Sequence, residues 1–190
     1  MSASHHLVIG GQRSGKSRHA EQLALQWLAA DANRQVMVVA TAVAWDDEMR
    51  ERIARHRADR SSRMQTVEEP LSLSRVLRAH AAPGRLLLVD CLTLWLTNWL
   101  MPAEGAADHQ AWREECDALL ACLAELASPV VFVSNEVGWG IIPMSREVRL
   151  FVDELGRLNQ AVAQRCDQVT LMVAGQAWTR PVVPASATLG

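Results

Sequence analysis

The stretch Leu7-Val8-Ile9-Gly10-Gly11-Gln12-Arg13-Ser14-Gly15-Lys16-Ser17 constrains this chain more than any other. A short apolar run reads as a buried strand, a glycine-bracketed loop follows, and Arg18 to Leu25 has helical spacing. Gly10, Gly15, Lys16 and Ser17 complete the pattern G-x-x-x-x-G-K-[ST], and a strand before and a helix after it give that pattern its meaning as a nucleotide-binding P-loop. Glycines let the backbone turn so that successive N–H groups face an anion, beside the positive end of the following helix. Lys16 brings a compact charge to the β- and γ-phosphates, and the Ser17 hydroxyl is a ligand for Mg²⁺. Of 19 Lys+Arg, Lys16 is the single lysine. Arginine's planar fork does not fit such a cradle, so the one lysine stands where the motif requires it.

The remaining composition mostly excludes. At 190 residues the expectation is one domain over 1–190, with a C-terminal tail from about 176. A net charge of −2 gives no reason to expect nucleic acid as a partner. Cys91, Cys116, Cys122 and Cys166 show no C-x-x-C spacing and read as reduced thiols of a cytoplasmic protein. No apolar run reaches the roughly 18 residues that cross a bilayer, and Met1 to His6 is too short and polar for a signal peptide.

Along the chain, Val36–Ala40, Gln65–Glu68, Leu86–Asp90, Val130–Ser134 and Val169–Val173 read as strands, the last being the final one. Asp46–Arg60, Leu71–His80, Leu92–Leu100, Trp112–Leu126 and Arg146–Arg165 read as helices. Continuous apolar strands alternating with helices imply an α/β fold, with a mostly parallel sheet covered on both faces. The tail from Thr179, with Pro181 and Pro184, reads as extended or frayed.

Asp90 is an acid at the end of an apolar strand, the place of the carboxylate that partners a P-loop in holding Mg²⁺. In Glu51 to Arg60, Arg52, His56 and Arg60 lie four apart, so a helix would present a histidine between two guanidiniums, with Arg55, Arg57 and Arg63 adding charge. Neighbouring cations disfavour imidazolium and keep such a histidine nucleophilic, and the arginines suit phosphates. With Glu48, Glu51 and Asp59 at hand, the same run also reads as a solvated, salt-bridged surface helix.

A resemblance bears on that choice. Gly10 to Glu21 is similar to the opening of the bifunctional adenosylcobinamide kinase/adenosylcobinamide-phosphate guanylyltransferases of cobalamin biosynthesis. The similarity continues through Ala40-Thr41, Asp46-Asp47-Glu48-Met49, Arg52-Ile53-x-x-His56, Thr97-Asn98, Asn135-Glu136-Val137-Gly138-x-Gly140-Ile141-Ile142-Pro143 and Gly156-Arg157-x-Asn159-Gln160. It implies a P-loop NTPase domain of RecA-like type, assembled as a homo-oligomer (a trimer). It implies two reactions, phosphorylation of adenosylcobinamide by a nucleoside triphosphate and transfer of GMP from GTP onto adenosylcobinamide phosphate through a guanylyl-histidine. By that resemblance His56 and Lys16 are catalytic, and Ser17 and Asp90 support Mg²⁺. GTP (with ATP as an alternative for phosphorylation) meets Gly10, Gly11, Gln12, Arg13, Ser14, Gly15, Lys16 and Ser17, then Ala40, Thr41 and Ala42. Arg57, Ala58, Asp59, Arg60, Glu68 and Asp90 complete the set. Relatives commonly carry serine where this chain has Ala42, so one hydroxyl is lost, and some carry Glu where it has Asp90.

The other histidines read more plainly. His5 and His6 look like a solvated terminus, His19 a structural or phosphate-neighbouring residue of the P-loop helix, His80 a helix end and His109 a loop residue. No His/Cys cluster has zinc-ligand spacing. Trp95, Trp99 and Trp139 are candidates for a corrin-facing surface, against core packing for most tryptophans. Asn135-Glu136 falls where ligands bind in open α/β sheets. Two rival readings stay open on the residues alone: a P-loop kinase of another small alcohol, and a GTP-hydrolysing switch protein, the latter opposed by the lack of an N-K-x-D motif.

Overall fold

A computed structural model describes residues 4–43 and 63–183. In chain order it contains β1 (His6–Gly10), α1 (Lys16–Ala30), β2 (Gln35–Ala40), β3 (Met64–Glu68), α2 (Leu73–His80), β4 (Arg85–Asp90), α3 (Leu92–Leu100), α4 (His109–Glu125), β5 (Val130–Asn135), α5 (Arg146–Ala163), β6 (Gln168–Val173) and β7 (Gln176–Pro181). The strands form one sheet of order β3-β2-β4-β5-β1-β6-β7. All neighbours are parallel except β6 and β7. This is the expected α/β P-loop architecture, with β5 lying between the phosphate-loop strand and the strand that ends in Asp90.

Strand side chains alternate between two apolar layers, as a sheet covered on both faces requires. Val8, Leu86, Leu88, Val131 and Val133 pack with Ala20, Ala24 and Leu28, the inward row of α1. Leu7, Leu87, Val89 and Phe132 face the larger layer built by α2 to α5, with Leu77, Trp95, Trp112, Leu119 and Leu155. Trp95 is fully buried, donates its indole N–H to the Leu71 carbonyl at 2.8 Å and meets Trp112 edge-on at 4.8 Å. Trp99 packs beside it at 6.4 Å from Trp112. Trp95 is thus a core residue rather than a corrin-facing one.

Two expectations need correction. Val169–Val173 is not the final strand: Ala174 (φ 49°) and Gly175 (φ 76°) make a two-residue turn, and Gln176–Pro181 returns antiparallel along β6. Left-handed conformations at both central positions suit the twist of a tight hairpin. His5 is not solvated but 4% exposed. Its Nδ1 accepts from the Val130 N–H at 3.2 Å, its Nε2 donates to Leu123 O at 2.9 Å, and its backbone N–H donates to Asp167 Oδ2 at 2.8 Å. That ring therefore joins the end of α4 to the start of β5, while half-buried His6 reaches Thr170 Oγ1 at 2.7 Å and, through it, Thr179 on β7. Arg63 caps the far end of α1. Its Nη2 lies 3.0–3.3 Å from the carbonyls of Leu28, Asp31, Ala32 and Arg34, where the negative end of the helix dipole favours a cation. That end is the opposite one from the P-loop. A smaller difference is His109, which opens α4 rather than lying in a loop.

Candidate functional site

Strand register places the sequence-predicted residues on one edge. Glu68 pairs with Ala40, Ala40 with Asp90 and Asp90 with Val133. Two residues further, β5 ends at Asn135 opposite Gly10. Glu68, Ala40, Asp90 and the phosphate loop therefore line the C-terminal edge of the parallel sheet, where ligands bind in this architecture. His56, Arg57, Ala58, Asp59 and Arg60 lie outside the described residues.

The loop from Gly10 to Ser17 is shaped by close contacts. A Cβ on Gly10 would stand 2.3 Å from the Met172 carbonyl oxygen and 2.9 Å from Ser14 Oγ, so no side chain fits between β1 and β6 there. Gly15, at φ 98°, takes the left-handed conformation that starts α1 and that glycine adopts without cost. From the side, the β6–β7 turn supports the loop: Gly175 donates its N–H to Ser14 O at 3.0 Å. Ser14 is buried, and its hydroxyl has no partner among the described residues. Gly11, Gln12 and Arg13 are exposed at the crest of the loop.

Lys16 is 7% exposed and its Nζ donates to Gly11 O at 2.5 Å, so the ammonium lies folded over the concave side of the loop. The first turn of α1 carries no acid and no side-chain cap. Its orphan N–H groups and the dipole together favour an anion. Ser17 Oγ and Asp90 Oδ1 converge to 3.5 Å. A hydroxyl and one carboxylate, both hard oxygen donors, fit Mg²⁺, which at phosphate sites takes its remaining ligands from phosphates and water. No group of three or more His, Cys, Asp or Glu residues placed to hold a metal ion occurs among the described residues.

Thr41 follows β2 and is fully buried. Its hydroxyl donates to Cys91 O at 2.7 Å and accepts from the Cys91 N–H at 2.8 Å, so the ends of β2 and β4 are clamped together. Ala42, half-buried, comes next. Burial first, and the charge of Asp90 second, push the Cys91 thiol up to about 11, which leaves it protonated beside the site. Burial lowers the pKa of His19, and of His6 with a further contribution from the charge of His19; both rings stay neutral near pH 7.

Several supporting residues escaped assignment from sequence. Asn98, 7% exposed, donates from Nδ2 to Thr41 O at 2.8 Å and to Pro70 O at 3.0 Å. It thereby holds the chain beyond β2 and the chain beyond β3 against α3. Asn159 accepts from Ser134 Oγ at 2.6 Å and donates to Asn135 O at 3.0 Å, and Thr93 Oγ1 accepts from the Asn135 N–H at 2.9 Å. These fix the tip of β5, from which Glu136 donates its N–H to Gly10 O at 3.0 Å. The available signal was an asparagine set in an otherwise apolar helical face, which must find partners when buried.

Residues 6–179 match the family model described as cobinamide kinase / cobinamide phosphate guanyltransferase. The bifunctional adenosylcobalamin biosynthesis protein CobP of Pseudomonas aeruginosa is 51% identical over 169 residues, covering 89% of this chain and 92% of that one. The proteins of corresponding name, CobU, of Escherichia coli and Salmonella typhimurium are each 39% identical over 178 residues, covering 89% of this chain and 95% of theirs.

Proposed function

The chain belongs to the cobinamide kinase / cobinamide phosphate guanyltransferase family, an enzyme of phosphoryl and nucleotidyl transfer, and from that premise we propose that it performs both reactions on adenosylcobinamide. In the first, the hydroxyl of the aminopropanol arm attacks the γ-phosphorus of a nucleoside triphosphate. The new O–P bond forms as the bond to the β,γ-bridging oxygen breaks; the nucleoside diphosphate leaves and the hydroxyl proton is released. In the second, a ring nitrogen of His56 attacks the α-phosphorus of GTP and pyrophosphate leaves. A phosphate oxygen of adenosylcobinamide phosphate then displaces the histidine, giving adenosylcobinamide-GDP and returning His56. Two displacements replace one direct transfer between anions.

The observation that carries this reading is the phosphate loop itself. Lys16 and the start of α1 face the space where a triphosphate is held, and Ser17 and Asp90 stand 3.5 Å apart on the same edge. Mg²⁺ held by these two neutralises phosphate charge when bound. Lys16 draws negative charge off the β- and γ-phosphates, Gly10 to Gly15 supply backbone N–H groups, and Ala40, Thr41, Ala42 and Glu68 flank the nucleotide. Arg57 to Arg60 would take the phosphates on the side of His56. A trimeric assembly remains part of this proposal.

The reading is tested by incubating the protein with adenosylcobinamide, GTP and Mg²⁺ and following products by mass spectrometry. Adenosylcobinamide phosphate followed by adenosylcobinamide-GDP, with pyrophosphate released in the second step, is expected. Lys16→Ala should lose the phosphorylation. Phosphorylation without any GDP product would reduce the assignment to a kinase, and GTP hydrolysis indifferent to corrinoid would point to a switch.

A further inference from the structure

Beyond Glu136 the chain leaves the sheet edge as Val137-Gly138-Trp139-Gly140-Ile141-Ile142-Pro143-Met144, a stretch without a charge. It buries little of its apolar surface: Trp139 is 73% exposed, Ile141 99%, Ile142 77% and Met144 96%. Large apolar side chains grouped in this way mark a surface that binds something. The loop is also held at both ends. At its root Asn135 is fixed by Thr93 and Asn159, and Glu136 Oε1 accepts from the Gly138 N–H at 3.0 Å. At its far end Arg149 Nη1 donates to Pro143 O at 2.9 Å and to Met144 O at 2.6 Å.

We propose that this loop is the seat of the corrin ring, with Trp139, Ile141 and Ile142 against the apolar face of the macrocycle. The inference rests on the function proposed above and adds a substrate subsite to it. Position supports it first. The backbone of Glu136 is bonded to Gly10, the first residue of the phosphate loop, and Ile141 is five residues on, at most about 18 Å of extended chain. A substrate whose hydroxyl reaches the γ-phosphate must place its bulk beside that loop, and this apolar stretch is continuous with it. Chemistry supports it second. A corrin is a broad, rigid ring with methyl-bearing apolar faces and a rim of amides, so an uncharged shelf with one indole matches its face. Indoles and aliphatic side chains bury large area against such rings, and the uncharged loop demands no desolvation of an ion.

The test uses Trp139→Ser and the double variant Ile141→Ser/Ile142→Ser; all three side chains are exposed, so folding does not depend on them. Steady-state KM for adenosylcobinamide, KM for GTP and solution mass by light scattering are measured beside wild type. Free 1-amino-2-propanol, which has the hydroxyl without the ring, serves as a second acceptor. The expected result is a rise of tenfold or more in the corrinoid KM, with GTP KM and mass unchanged and the small alcohol used equally poorly by all. An unchanged corrinoid KM overturns the subsite. So does a rise that appears only together with a change of mass, which assigns the loop to a contact between copies of the chain. A wild-type protein that makes no cobinamide product is a different failure, that of the function on which the inference rests.

Discussion

Asn98 offers the sharpest test of how this edge is held together. Its amide nitrogen serves two backbone carbonyls, those of Thr41 and Pro70, at 2.8 and 3.0 Å in a site 7% exposed. Asn98→Leu keeps the volume and removes both donors. Each hydrogen bond is worth about 1 kcal/mol net, and a buried carbonyl left without its partner costs about 1–3 kcal/mol. Because a carbonyl stripped of one partner often keeps another, the sum falls at about 2–4 kcal/mol. At about 2–4 °C per kcal/mol for a chain of this size, Tm should fall by about 4–16 °C. Asn98→Asp should be at least as damaging, since a carboxylate would face two carbonyl oxygens where an amide had donated. On the proposed function both strand ends flank the nucleotide, so the KM for GTP should rise as well. Urea denaturation, thermal melting and GTP titration read these effects. Variants within about 0.5 kcal/mol of wild type, the range of an ordinary surface substitution, would refute the argument.

Other consequences follow from particular contacts. Gly10→Ala would place a carbon 2.3 Å from Met172 O, inside the 3.0 Å floor of real contacts; forcing β1 from β6 should cost about 1–3 kcal/mol or more and abolish nucleotide binding, read by calorimetric titration and denaturation. His6 has a folded pKa lowered by burial and by the charge of His19. The unfolded chain therefore takes up the proton first, and stability should fall as pH drops below the usual histidine value and stay flat above it. His6→Gln should flatten that slope in melting curves between pH 7.5 and 5.5, values chosen around the ordinary histidine pKa of about 6.5; an equal slope would remove His6 as its source. Cys91, held up to about 11, should resist iodoacetamide at pH near 8 in the folded protein and react readily in urea, since the thiolate is the nucleophile. Equal rates, followed by peptide mapping, would contradict that environment.

Much of the architecture was legible because its signals are local. The P-loop, the apolar runs and the acid ending Leu86–Asp90 each occupy adjacent residues, and strand period and helix period distinguish themselves over such spans. The helix Leu92–Leu100 was placed to the residue. What escaped depends on partners far away in sequence. Gln176–Pro181 lacks an alternating apolar pattern and is exposed along its whole length, so only its pairing with β6 makes it a strand. His5 looked like part of a polar terminus, yet it is buried by Leu123, Val130 and Asp167, more than a hundred residues away. Arg63 caps α1 through the carbonyls of Leu28, Asp31, Ala32 and Arg34, partners that no local pattern announces. Within the candidate site, pattern singles out Lys16, Ser17 and Asp90, which the fold brings to one edge, while the partners braced by Asn98, Asn159 and the Gly175 turn leave no local signal. Trp139 alone of the three candidate tryptophans is largely exposed, and exposure is a property of the fold.

The most direct measurement is covalent labelling with GTP radiolabelled at the α-phosphate, in the presence of Mg²⁺, with wild type beside His56→Ala. The account predicts acid-labile label that stays on denatured wild type, is absent from the variant, and leaves with adenosylcobinamide phosphate as acceptor. Wild type that takes no label while still passing the γ-phosphate to adenosylcobinamide would contradict the guanylyl-histidine route.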